Sequence, residues 1–202
     1  MAATRPPAGQ GLVIGDDRPV STAWGAYFDN LAARLAALEA KELTWRKLST
    51  TGFSTTTALA SFALPADYRK FRVDYVVVAS VAGAAFLQLS TDGTTYKTGA
   101  AEYGYVASSS RIGSMVNFGG TSSFVPVSDT ANAAGQVIAG AFEFDALTNY
   151  GTADAVTIAA GAVAGRWSGG FYPAFAGASL AVRVGIVGGS MSSGTLALSG
   201  NL

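Results

Sequence analysis

Two hydrophobic periods divide this chain. In "STAWGAYFDNLAARLAALEA", residues 21–40, the large apolar side chains stand at Trp24, Phe28, Leu31, Leu35 and Leu38, in alternating steps of four and three. A repeat of about 3.5 residues is the seam of a coiled coil. With Phe28 and Leu35 at a, the d positions are Trp24, Leu31 and Leu38, and Trp45 extends the series. Arg34 and Lys41 then fall at g and Glu39 at e. In a parallel coiled coil g faces the e position five residues on in the neighbouring chain, so Arg34 and Glu39 form an interchain pair. Ser21 suits the N-cap, and the pattern predicts a helix over 21–43. The competing reading is that this helix packs on its own chain's sheet, widened by Ala32, Ala33, Ala36, Ala37 and Ala40. So short a seam cannot hold an assembly alone, so the rest of the chain has to associate too.

From about residue 44 the period falls to two. "FRVDYVVV" sets Phe71, Val73, Tyr75 and Val77 on one face and Arg72 and Asp74 on the other. "YVVVASVAGAAFL" predicts two buried strands joined at Gly83. Asp92-Gly93 predicts a type I′ hairpin, because both central residues of that turn need positive φ. Further strands are expected at 101–107, 112–118, 135–145, 154–159, 170–175, 180–187 and 194–199. Many short strands with turn chemistry between them indicate a sandwich, jelly roll or barrel. No fixed-period repeat is present, which argues against a propeller or solenoid. Residues 1–20, rich in Gly and Pro, are expected to form an extended attachment arm. The predicted fold is mainly β: an N-terminal helix in a short coiled coil, then a jelly-roll-like β-sandwich over 44–202.

Composition narrows the function. Half of the 202 residues are hydrophobic and only 13% are charged, with 13 cations balancing 13 anions. That is too little positive charge to grip nucleic acid, and zero net charge does not oppose self-association. The chain holds no Cys and no His. Disulfides, thiolate chemistry and every catalytic triad that needs His are therefore excluded, and no catalytic residue, metal ligand or cofactor is expected. The polar start "MAATRPPAGQ" has no apolar h-region, so no signal peptide is expected, and no apolar run is long enough for a membrane helix.

Two groups of residues remain as candidates. Glu143 and Asp145 in "AFEFDAL" share one strand face, with Phe142 and Phe144 on the other. Paired carboxylates suffice for glycoside hydrolysis, but a solvated outer face has the same pattern. Tyr103 and Tyr105, on one strand face in "AEYGYV", and Trp167 and Tyr172 in "RWSGGFYP", where neighbouring glycines are expected to leave the rings uncovered, are candidate glycan-stacking rings. Ordinary core packing is the alternative.

The helix Trp24–Leu38 at the head of a β domain resembles the N-terminal region of bacteriophage tail and fibre proteins. The stretch "YRKFRVDYVVVASVAGAAFLQLSTDGTTYKTGAAEYGYV", residues 68–106, is similar to a module of such virion proteins. Gene-transfer-agent head spikes are a related possibility. The resemblance implies a β-sandwich in a homo-oligomer, most often a trimer, at the virion surface after synthesis in the host cytoplasm. The arm would dock on other virion proteins, and the β domain would meet cell-surface polysaccharide. A stand-alone carbohydrate-binding module and a small carboxylate-based glycan hydrolase are the alternatives.

Overall fold

A computed structural model describes residues 29–34, 45–111, 114–129 and 132–202. The chain divides into two compact units, Met1–Thr44 and Trp45–Leu202. In the first, residues 29–34 are helical, as the heptad period predicts, and Leu31 is exposed. The other seam positions, Trp24, Phe28, Leu35 and Leu38, lie outside the described residues, as do Glu39 and the arm 1–20. Among the described residues no helix is long and apolar enough to cross a membrane.

The second unit is mainly β. Its strands are β1 (Arg46–Phe53), β2 (Leu59–Ala63), β3 (Lys70–Ala79), β4 (Ala85–Ser90), β5 (Tyr103–Arg111), β6 (Ser114–Ser122), β7 (Val125–Pro126), β8 (Val137–Asp145), β9 (Gly151–Ala159), β10 (Ala162–Pro173), β11 (Ala181–Ile186) and β12 (Met191–Asn201). They form an eight-stranded sheet, β1-β12-β3-β8-β9-β10-β5-β6, and a four-stranded sheet, β2-β11-β4-β7. Every pairing is antiparallel. The pairs β1·β12, β2·β11, β3·β8 and β4·β7 are nested along the chain. Two hairpins interrupt the nest, β5–β6 between β4 and β7 and β9–β10 between β8 and β11, and both widen the larger sheet beyond β8.

Alternation decides what is buried. In β3, Phe71, Val73, Tyr75 and Val77 point inward, while Arg72 and Asp74 look out. Phe142 and Leu196 join them from neighbouring strands, and Phe62, Leu87, Leu89, Val182 and Val184 meet them from the smaller sheet, in one hydrophobic core. Each fully buried chain of this size contributes roughly 1.5–3 kcal/mol, so the shared core holds the two sheets together.

Two turns differ from expectation. Asp92-Gly93 does not close a two-residue hairpin: Ser90 pairs with Tyr96, leaving the wider loop 91–95. The Asp92 carboxylate organises it, accepting the backbone N–H groups of Thr94 at 2.8 Å and Thr95 at 2.6 Å and the Ser90 hydroxyl at 2.9 Å. A tight two-residue turn among the described residues lies between β9 and β10, where Ala159 pairs with Ala162 and Ala160 and Gly161 have φ of 49° and 79°. β10 also starts well before the predicted strand at 170–175.

Candidate functional site

The outer face of the larger sheet is floored by small residues. One cross-strand row runs Asp74, Ala141, Asp154, Ser168, Ser108, Asn117 from β3 to β6. The next includes Arg72, Glu143, Thr152, Gly170, Val106 and Gly119. Ala141, Ser168, Ser108, Gly170 and Gly119 in these rows reach little from the backbone, which leaves room above them. A trough of about 710 Å³ runs over this face, lined among others by Arg72, Asp74, Glu143, Asp154, Arg166 and Ser168.

The charges in the trough are partly self-satisfied. Arg72 donates through Nε and Nη2 to Asp74 Oδ1 at 2.9 and 2.8 Å, and through Nη1 to Glu143 Oε1 at 2.7 Å. The bonds to Asp74 and Glu143, opposed by partial burial, hold the guanidinium more firmly protonated than usual. The three side chains are 38–47% exposed, so each pair stabilises the fold by only about 0–1 kcal/mol. Their larger effect is to fix donors and acceptors on the trough floor. Among the described residues, Asp154 and Arg166 line the trough without a side-chain hydrogen bond of their own.

At one end the trough meets an apolar slot of about 510 Å³, lined by Val106, Tyr150, Gly151, Thr152, Gly170, Phe171 and Tyr172. Thr152 belongs to both hollows. Tyr150 is 61% and Tyr172 45% exposed.

The predicted aromatic cluster is not assembled on this surface. Tyr103 is fully buried. Its hydroxyl accepts the Leu89 N–H at 2.8 Å, and its ring meets Phe175 edge-on at 5.5 Å. Burial pushes its phenol pKa up. Trp167 is 3% exposed, so the expectation that neighbouring glycines leave it uncovered is corrected: alternation turns it inward and turns Arg166 and Ser168 out. Tyr105 is half-buried on the same inward side as Tyr103 and lies edge-on to Phe118. Only Tyr172 presents its ring to solvent.

Glu143 and Asp145 share one face of β8, as predicted, but take separate structural partners. Glu143 binds Arg72. Asp145 accepts Arg69 Nε at 2.7 Å and caps the following turn through the N–H groups of Leu147 at 2.9 Å and Thr148 at 3.2 Å. Among the described residues no three acidic side chains come together as a metal site. The sequence reading missed Tyr150, Thr152, Gly170 and Val106. The available signal was the parity of Thr152 and Asp154, which puts Thr152 on the outer face of β9.

No protein-family model matches the chain, and a search of curated proteins finds no match.

Proposed function

We propose that this chain is a structural subunit of a phage-like particle, a homo-oligomeric tail or head fibre or spike protein whose β domain meets a cell-surface glycan. The nested strand pairing supports a jelly-roll-like sandwich for that domain, an architecture shared by capsid and lectin domains. The helix period and the resemblance of residues 24–38 and 68–106 to virion proteins support the particle assignment. The arm 1–20 docks on other virion proteins, and the helices align the copies, with a trimer favoured.

The observation that carries the reading is the difference between the sheet edges. Exposed edge strands are normally blunted by charge, bulges, proline or short length. β1 carries Arg46, Lys47 and a bulge between Lys47 and Ser49. β2 has five residues, and β7 has two and ends in Pro126. β6 has nine residues, no charge, no proline and an unbroken register with β5. Met115 and Val116 are 74% and 55% exposed on its two faces. Such an edge calls for a cover, and zero net charge suits a second copy of the chain to that role.

Sedimentation of the full chain tests this reading. Wild type is expected as an oligomer that Val116→Lys weakens, with the two chains melting at the same Tm only at concentrations too low for assembly, because Val116 is exposed in the single chain. A wild-type chain that stays monomeric at all concentrations overturns the reading. Mass spectrometry of purified particles from a host carrying the gene tests the virion assignment separately.

A further inference from the structure

We propose that the glycine-floored slot between Tyr150 and Tyr172 is a saccharide site, which seats the apolar face of one neutral pyranose and passes the rest of the glycan into the adjoining trough. The inference rests on the glycan-contact part of the function proposed above, and not on the particle assignment.

The floor comes first. Thr152, Gly170 and Val106 are register partners across β9, β10 and β5. A Cβ added at Gly170 would meet only the Gly151 carbonyl oxygen, at 3.7 Å. The glycine is thus not required by crowding, and its missing side chain leaves a flat patch between Thr152 and Val106. Tyr172 is two residues beyond Gly170 in β10, so alternation sets its ring on this outer face, and Tyr150, just ahead of β9, lines the same slot.

The position of the Tyr172 ring keeps the patch open. Tyr172 pairs with Gly104 of β5. Its ring lies where a Gly104 side chain would be, with Cζ 2.0 Å from an added Cβ. It therefore covers β5 and stays clear of the floor at Gly170. Two exposed phenols beside a flat apolar patch suit a flat ligand with polar edges: the rings and Val106 meet carbon, and the hydroxyls meet the edges.

The neighbouring trough distinguishes a sugar from an apolar peptide side chain. Through Thr152 the slot opens onto Ser108, Ser168, the fixed Arg72–Glu143 pair, Asp154 and Arg166. Both donors and acceptors line it, which suits hydroxyl groups. Three carboxylates against two arginines line the trough, which disfavours a uronate-rich or sialylated chain and favours a neutral one. Both hollows fall within the roughly 300–1,000 Å³ range of small-molecule sites.

The test uses the full chain on an array of neutral and uronate-containing di- to tetrasaccharides, followed by saturation-transfer NMR on any hit. Wild type is expected to bind neutral members, with saturation strongest on the axial C–H protons of one ring. Tyr150→Ala and Tyr172→Ala are each expected to weaken binding by about tenfold, a difference of about 1.4 kcal/mol. Gly170→Val is expected to weaken it similarly by filling the floor, with little change in Tm because its Cβ makes only ordinary van der Waals contact with the Gly151 carbonyl oxygen. If wild type binds a saccharide that all three variants bind equally, the slot is wrong while the glycan reading stands. A preference for uronate-containing members overturns the neutral class. An array with no hit overturns both the slot and the glycan reading, and leaves the sedimentation test of assembly unaffected.

Discussion

The Tyr75 hydroxyl donates a hydrogen bond to the Val127 carbonyl. Tyr75 stands in β3, inside the larger sheet, and Val127 follows β7, the edge strand of the smaller one. Both residues are buried, so one side-chain bond links the two layers away from water. Burial, reinforced by the negative charge of Asp154, pushes the phenol pKa far above its ordinary value. The group therefore stays a neutral donor. Tyr75→Phe keeps the ring and orphans the carbonyl, at an expected cost of about 1–3 kcal/mol. At about 2–4 °C per kcal/mol for a chain of this size, calorimetry should record a clear fall in Tm. An unchanged Tm would show that the bond contributes nothing net.

The β9–β10 turn is under-optimised. Ala160 has a φ of 49° and an exposed side chain, in the left-handed region that costs an ordinary residue roughly 1–2 kcal/mol. The first central position of such a turn favours Asn before Gly, and Gly161 is already in place. Ala160→Asn is expected to stabilise the domain by up to about 1 kcal/mol, read as a rise in urea midpoint at constant m-value. A lower midpoint would mean that the turn's conformation is not the one that limits it.

What the sequence could tell depended on how far each signal reaches. The alternation in "FRVDYVVV" is local, and β3 has the two faces it predicts. β10 shows the opposite case. Gly165, Gly169 and Gly170 carry no side chain to mark a face, so neither the start at Ala162 nor the inward parity of Trp167 could be read. The same silence at Gly104 hid that the face Tyr103 and Tyr105 share, offered for glycan stacking, points inward. The slot was invisible because its floor is Gly170, and because Tyr150 reaches it only through the pairing of β9 with β10. Asp92-Gly93 marks a turn in both readings, but the side chain of Asp92, through its bonds to Thr94 and Thr95, makes the loop wider than the dipeptide alone implies.

Acid should loosen the domain through Asp145. Burial raises its pKa, but the Thr148 N–H, the Arg69 guanidinium and the Leu147 N–H outweigh that and hold it below the ordinary carboxylate value. The native carboxylate therefore binds its proton less readily than the unfolded one. Its contribution to stability is present above the unfolded pKa of about 3.9, and is lost as pH falls through the lower native value. Asp92 acts in the same direction, held down by the N–H groups of Thr95 and Thr94. Asp145→Asn should be less stable than wild type at neutral pH, with the gap narrowing in acid. Parallel curves of unfolding free energy against pH would exclude this origin.

Gly104 and Tyr172 make the most specific prediction, because here a backbone position controls a ligand-facing ring. An added Cβ at residue 104 would lie 2.0 Å from Tyr172 Cζ and 2.4 Å from its hydroxyl oxygen. The clash is with the far end of a partly exposed side chain, so the ring should swing aside and the sheet should stay. Moved off β5, the ring loses its position at the slot. Gly104→Ala should therefore cost little stability, about 1 kcal/mol or less, while weakening binding of a neutral oligosaccharide nearly as much as Tyr172→Ala does. The two changes should not add: Gly104→Ala in a Tyr172→Ala background should alter affinity no further, since the ring it displaces is gone. A double-mutant cycle by saccharide titration, with thermal melts of each variant, measures both quantities. Additive losses would mean that Gly104 acts on binding by some route other than the Tyr172 ring, and the assigned geometry of the slot would fail with it.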